Sequence, residues 1–253
     1  MNETTHTADP AAIRRGAFTL IELLIVVSVI SILTAILAPG LNGVKKWARS
    51  VSCTSNLHDL GVGMSVYHHE NDDRFWPYLL DDRPTQGKRC YWWGTDDDPV
   101  DPMASPYMTT VDGMLEMLWC PSMPWGSYVP QGWYVSEPTT TYGYNAYSLD
   151  PGLNGQGTTS LADIPRPSGL FVFNDSAMFW RVGGRGLFQN STYLEPVSGN
   201  WVQQPTSHFR HKGKTNALTA DGHAASYEPR DWNLDPTHNL GFVGKKNSPH
   251  YAQ

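Results

Sequence analysis

The sequence predicts an α+β protein in which one long N-terminal helix, membrane-spanning in its first half, carries a β-rich head with long loops. Three observations predict it. Ala17 to Ala38 is an unbroken apolar run, apolar residues keep a helical spacing of three and four beyond it to Tyr67, and short β-type runs bounded by turn residues lie only in the later part of the chain. The composition sets the limits. Among 253 residues only 17% are charged, and 18 Lys plus Arg stand against 24 Asp plus Glu for a net charge of −6. That balance argues against a nucleic-acid partner. The 23 Gly and 19 Pro follow no G-X-Y period, which excludes collagen, and the low charge excludes acidic disorder.

The apolar run AFTLIELLIVVSVISILTAILA holds one charge, Glu22, and follows the basic pair Arg14-Arg15. At helical rise it spans roughly 33 Å, enough to cross a bilayer core. It exceeds the roughly 7–15 residues of a cleaved secretory h-region. Inside such a helix the Glu22 carboxylate costs about 2.5–3.5 kcal/mol, so it must either reach the near interface or find a partner.

Arg14-Arg15-Gly16-Ala17-Phe18-Thr19-Leu20-Ile21-Glu22 resembles the N-terminal processing and methylation segment of type IV prepilins and type II secretion pseudopilins. The resemblance implies cleavage by prepilin peptidase on the cytoplasmic side, before a Phe that becomes the N-methylated first residue, with Glu fifth and a helix-bending Pro twenty-second in the mature chain. Phe18, Glu22 and Pro39 fall in that register. Gly16 is followed by Ala17, so the scissile bond is either Gly16-Ala17 or Ala17-Phe18, and the position of Glu22 favours the second. The partner that the resemblance implies for Glu22 is the new α-amino group of Phe18 on an adjacent subunit, within a fibre core where opposite charges attract strongly.

Past Pro39, Leu41, Val44, Ala48 and Val51, then Leu57, Leu60, Met64 and Tyr67, keep one apolar helical face. Gly61 and Gly63 weaken that helix and suggest a close neighbour there. Asn71-Asp72-Asp73 and Pro77 end it near residue 72. The expected organisation is a leader over 1–17, a membrane or fibre-core helix over 18–38, its amphipathic continuation over 39–72 with a kink near Pro39, and a head over 73–253. Within the head, Arg83 to Met108 reads as long loops. Thr139 to Leu149, Gly169 to Asn174 and Thr215 to Tyr227 read as strands, the last interrupted by Asp221-Gly222, a two-residue hairpin signal.

Cys53-Thr54-Ser55-Asn56-Leu57, Cys120-Pro121-Ser122, Tyr142-Gly143-Tyr144-Asn145, Arg166-Pro167-Ser168 and His211 followed after nine residues by Asp221-Gly222 resemble, in that order, the pseudopilin-like family named for its H-X9-DG motif. Both resemblances imply a structural subunit of a type II secretion or type IV pilus-like system. They place it as a single-pass protein of the bacterial inner membrane with a periplasmic head, partnered by prepilin peptidase, other pseudopilin subunits and an inner-membrane secretion platform. The family-like pieces around Cys53 and Cys120 imply a disulfide between them in an oxidising compartment, with Cys90–Cys120 as the competing pair. His211, Asp221 and Gly222 are expected to form a structural clasp at the hairpin, with Asp221 capping its own turn, His211 bonded to backbone or a neighbouring strand and not to Asp221, and Gly222→Val more harmful than His211→Ala.

Other chemistry competes with this reading. His208, His211, Asp221 and His223 are acid–base or ligand types, but the chain has no HExxH, GxSxG or paired CxxC, and no catalytic residue is expected. No cofactor or metal is expected either, with one exception. The acidic loop Asp96, Asp97, Asp98 and Asp101 offers carboxylates suited to Ca²⁺, at a spacing that matches no EF-hand. The alternative function is a membrane-anchored module that binds carbohydrate or cargo through exposed aromatics, with Trp92, Trp93, Trp119, Trp125 and Trp133 as its platform.

Overall fold

A computed structural model describes residues 19–80, 90–95, 101–109, 117–123, 140–151, 157–182, 185–189, 194, 205–230, 234–243 and 250–251. The chain forms two compact units, residues 1–44 and 45–253. Helix α1 (Leu20–Glu70) contributes to both and runs through Pro39 without ending. It stops where Asp72 and Asp73 take left-handed φ values of 53° and 55°. There Asp73 N donates to His68 O at 2.9 Å and Asn71 Nδ2 to Tyr67 O at 2.8 Å, satisfying carbonyls of the last turn.

The head half of α1 buries Cys53, Leu57, Leu60 and Met64, one stripe at gaps of four, three and four. Val51 is exposed, so the predicted stripe is covered only from Cys53 onward. Against it lies a four-stranded antiparallel sheet of β4 (Tyr142–Tyr144), β5 (Phe171–Asp175), β9 (Thr215–Thr219) and β10 (Ala224–Tyr227), in the order β10-β9-β5-β4. Gly61 explains itself here, because a Cβ at that position would lie 3.0 Å from Leu218 Cδ1 of β9. Phe173 and Leu218 face the helix, whereas Phe171 and Ala217 join Phe209, Leu194, Val243 and Tyr251 in a second core. With both faces covered, β5 and β9 are buried along their whole length.

The remaining strands are short. β1 (Leu79–Leu80), β2 (Cys90–Tyr91) and β3 (Gly94–Thr95) form a three-stranded sheet, β6 (Met178–Val182) and β7 (Arg185–Gln189) a hairpin, and β8 (Ser207–His208) pairs with β11 (Leu240–Gly241). Part of the predicted loop region is therefore strand, in pieces of two residues that leave no readable period. The predicted Thr139 to Leu149 strand is shorter as well. It pairs only over Tyr142–Tyr144, because Asn145 leaves the extended region and starts α2 (Ala146–Leu149), its Nδ2 donating to Phe171 O at 2.9 Å.

Aromatics fill the α1 side of the sheet. Trp76 stacks on Tyr107 with centroids 4.8 Å apart, Trp92 packs on Phe173 at 4.9 Å, and Tyr144 donates its hydroxyl to Trp76 O at 2.7 Å. Trp92 and Trp93, which the alternative function would place on a surface platform, are core residues, since burying such large rings is the greatest apolar gain open to a loop-rich head. Trp119 is half-buried against the same core, and Trp125 and Trp133 lie outside the described residues.

Candidate functional site

Four segments converge beneath the head half of α1. The helix supplies Cys53. Residues 117–123 supply Cys120, and they are pinned to the start of β4 by Thr141, whose N donates to Leu118 O at 3.0 Å while its Oγ1 accepts from Cys120 N at 2.7 Å. Asn56 of α1 holds the same segment by donating to Trp119 O at 2.9 Å. The last residue of β5 supplies Asp175, and the turn before β9 supplies His211.

That turn is tight. His211 and Lys214 exchange backbone hydrogen bonds of 3.0 and 3.1 Å around Lys212 and Gly213, whose φ values are 54° and 80°. This is the two-residue loop with positive φ at both positions, and it turns the chain so that His211 faces Asp175. The predicted hairpin at Asp221-Gly222 is present and joins β9 to β10, but its loop has three residues, not two. Thr219 N donates to His223 O at 2.9 Å, Gly222 N to Thr219 O at 2.9 Å, and only Gly222 has positive φ, at 86°. Asp221 Oδ1 accepts from His223 N at 3.1 Å and from Thr219 Oγ1 at 2.6 Å, so Asp221 binds its own turn. His211 does not touch it.

At the convergence point, His211 Nε2 lies 3.2 Å from Asp175 Oδ2 and 3.2 Å from Cys120 Sγ, and Cys53 Sγ donates to Asp175 Oδ1 at 3.2 Å. Tyr142 donates its hydroxyl to Cys53 Sγ at 3.3 Å, Asn216 N donates to Asp175 Oδ2 at 2.8 Å, and Arg210 Nε sits 3.7 Å from Asp175 Oδ1. No disulfide joins Cys53 and Cys120, the pair implied to bridge, in this structure, and Cys90 Sγ is directed to Ala104 O at 3.4 Å. Burial works against every charge in this group, and proximity reverses much of it. Burial lowers the His211 pKa, but Asp175 and Cys120 outweigh it and raise it to about 9. Burial raises that of Asp175, yet Arg210 and His211 hold it below the usual carboxylate range. Burial likewise opposes ionisation of Cys120, which Cys53, His211 and Arg210 nevertheless bring down to about 6, while burial pushes the Cys53 thiol up.

This is not the geometry of a catalytic relay. A Cys–His–Asp relay needs thiol and carboxylate on opposite ring nitrogens. Here both meet Nε2, and Nδ1 faces Ser122 Oγ at 3.4 Å. The histidines nominated together do not converge either, since His208 accepts from Arg210 Nε at 3.0 Å through Nδ1 and His223 is exposed on the hairpin. Sequence reasoning missed Asp175 and Arg210. The available signals were a carboxylate directly after the apolar run GLFVFN, and a second cation next to His211.

The other unit has a simpler chemistry. Between Leu20 and Val44 the large apolar side chains are 45–84% exposed. The hydroxyls of Ser28, Ser31 and Thr34 donate back to Leu24, Val27 and Ile30 carbonyls at 2.7, 2.6 and 2.8 Å, so the polar groups are satisfied within the helix. Thr19 and Glu22 form a capping box: Thr19 N and Oγ1 each donate to Glu22 Oε2 at 2.8 Å, and Glu22 N donates to Thr19 Oγ1 at 3.3 Å. α1 is long and apolar enough to cross a membrane. Residues 13–38 match the family model of the prokaryotic N-terminal methylation motif. The chain carries a prepilin-type signature. The prepilin signature implies processing by prepilin peptidase, membrane anchoring and assembly with other pilin subunits, and it points to a structural subunit. Its match does not extend into the head, and no curated protein and no solved structure matches the chain. Gly16, Ala17 and Phe18, the processing residues of the prepilin segment, lie outside the described residues, as do Asp96, Asp97 and Asp98 of the acidic loop; Asp101 Oδ1 accepts from Met103 N at 3.0 Å.

Proposed function

We propose that this protein is a pseudopilin-like structural subunit of a type II secretion or type IV pilus-like system. It is held in the inner membrane by residues 18–38 with its head in the periplasm, cleaved between Ala17 and Phe18, and assembled into a fibre with other subunits on an inner-membrane platform. The observation that carries this reading is the methylation motif over 13–38, set on a helix whose apolar side chains stand exposed. Such a surface is stable only in lipid or against another apolar surface, and extraction from the membrane into a fibre exchanges one for the other. In the intact chain Thr19 occupies the Glu22 carboxylate. After cleavage the charged α-amino group of Phe18 on a neighbouring subunit is a stronger partner, and pairing the two fixes the axial register.

N-terminal sequencing of the protein from membranes of cells with an active prepilin peptidase tests the reading. The expected mature chain begins at N-methylated Phe18. A chain that begins at Pro39, having lost the apolar run, or one that still carries residues 1–17 in the presence of the peptidase, overturns it.

A further inference from the structure

The ligand-type atoms of Cys53, Cys120, Asp175 and His211 all lie within 4.8 Å of one another, though Cys53 is 122 residues from Asp175 and Cys120 is 91 from His211. Cys53, Cys120 and Asp175 are fully buried and His211 is 6% exposed. Three of their separations, His211–Asp175, His211–Cys120 and Cys53–Asp175 through its other oxygen, are 3.2 Å, close to the edge of a tetrahedron around Zn²⁺, about 3.3–3.8 Å when bonds to S, N and O are about 2.0–2.3 Å. A small expansion of the four donors therefore makes room for an ion at their centre. We propose that Cys53, Cys120, Asp175 and His211 form a closed structural site for one Zn²⁺ ion in the head.

The donor chemistry favours this class of metal. Two thiolates, one imidazole and one carboxylate are a borderline-soft set, four protein donors fill a tetrahedron with no open position, and oxygen-seeking Ca²⁺ or Mg²⁺ would gain little from two sulfurs. The convergence of thiol and carboxylate on the same imidazole nitrogen, which defeats a proton relay, is what a shared central ion requires. Three of the four ligands also have an outer partner: Ser122 at His211 Nδ1, Tyr142 on Cys53 and the Asn216 amide on Asp175. Charge closes as well, because two thiolates and a carboxylate are balanced by Zn²⁺ and the Arg210 guanidinium beside Asp175. The ion displaces two protons to solvent, that of the Cys53 thiol and the one held between His211 and Cys120. A cleft of about 670 Å³, whose wall includes Ser122 and His211, leads from the surface to the imidazole edge.

The test uses the full chain, purified in detergent without added reductant or chelator, with metal content measured by elemental analysis and X-ray absorption at the zinc edge. About one Zn²⁺ per chain is expected, with two sulfur and two nitrogen or oxygen neighbours. Replacing the ion by Co²⁺ should give a thiolate-to-metal charge-transfer band. Cys120→Ser should cut that band by at least half, since one thiolate remains, and Cys90→Ser should leave it. The native-chain measurements stand even if Cys120→Ser fails to fold. Markedly less than one equivalent of zinc, an absorption spectrum with no sulfur neighbour, a Co²⁺ band unchanged in Cys120→Ser, or peptide mapping that finds a Cys53–Cys120 disulfide in the isolated native chain would each overturn the proposal.

Discussion

The two units of this chain invert the usual distribution of side chains in opposite ways. Residues 20–44 expose nearly every large apolar side chain, whereas the head buries Asp175, Arg210, His211 and two thiols at one point. The first inversion is resolved only by surroundings, lipid or another subunit. The second is resolved internally, by charges and hydrogen bonds that satisfy one another. Substitutions in one unit should therefore change assembly while leaving folding alone, and those in the other should do the reverse.

The sharpest break is Asp175→Ala. It leaves Arg210 charged and buried without its counter-ion, and removing one partner of a buried pair costs about 3–5 kcal/mol. For a head of this size the thermal midpoint should fall on the order of 10 °C, read by thermal unfolding of the full chain in detergent. Membrane insertion and leader cleavage should be unchanged. A midpoint within a degree or two of the native value would mean that the buried group is not a self-supporting network.

Next in size, and opposite in kind, is Glu22→Ala. It removes a charge worth about 2.5–3.5 kcal/mol against insertion, so membrane insertion should hold or improve. Incorporation into fibres should drop by about tenfold or more, because the Phe18 amine loses its partner. The head's thermal midpoint should not move. Crosslinking and unfolding of the same preparation check both halves, and equal assembly of the variant would remove the intersubunit pair.

Smaller, and confined to the head, is Gly61→Val. Its Cβ would lie 3.0 Å from Leu218 Cδ1, and overpacking of this kind costs about 1–3 kcal/mol. Because the conflict is with one side chain, Gly61→Val should cost less in a Leu218→Ala background. Denaturant midpoints of the four combinations measure that coupling, and strict additivity would place the strain elsewhere.

These cases show what was legible in the sequence. The helix from Leu20 to Glu70 could be read because its apolar spacing and its Asn71-Asp72-Asp73 stop are local signals. Glu22 could be read because one carboxylate in an apolar run is anomalous by itself. The metal-type cluster could not, since its ligands come from four separated segments and each looks ordinary where it stands. Asp175 was the hardest, as it follows the last residue assigned to its strand. The hairpin signal at Asp221-Gly222 marked a real hairpin, β9 to β10 with Gly222 at positive φ, and missed only the length of its loop. The two-residue turn with positive φ at both positions lies instead at Lys212-Gly213, where it sets His211 against Asp175.

The smallest expected effect is at Gly222, and it refines the comparison within the head. Gly222 has a φ of 86°, and nothing lies within 4 Å of the position a Cβ would take. Replacing it therefore adds left-handed strain without a clash, about 1–2 kcal/mol for a β-branched residue and less for Asn, which tolerates that region. His211→Ala removes hydrogen bonds to a buried carboxylate and a buried thiol, about 2–3 kcal/mol, and so should exceed Gly222→Val. The sequence alone suggested the reverse order, treating His211 as a turn residue. Thermal midpoints should fall in the order His211→Ala below Gly222→Val below Gly222→Asn. If Gly222→Val proved the more damaging, the three-residue turn rather than the buried cluster would be the feature that holds β9 and β10 in place.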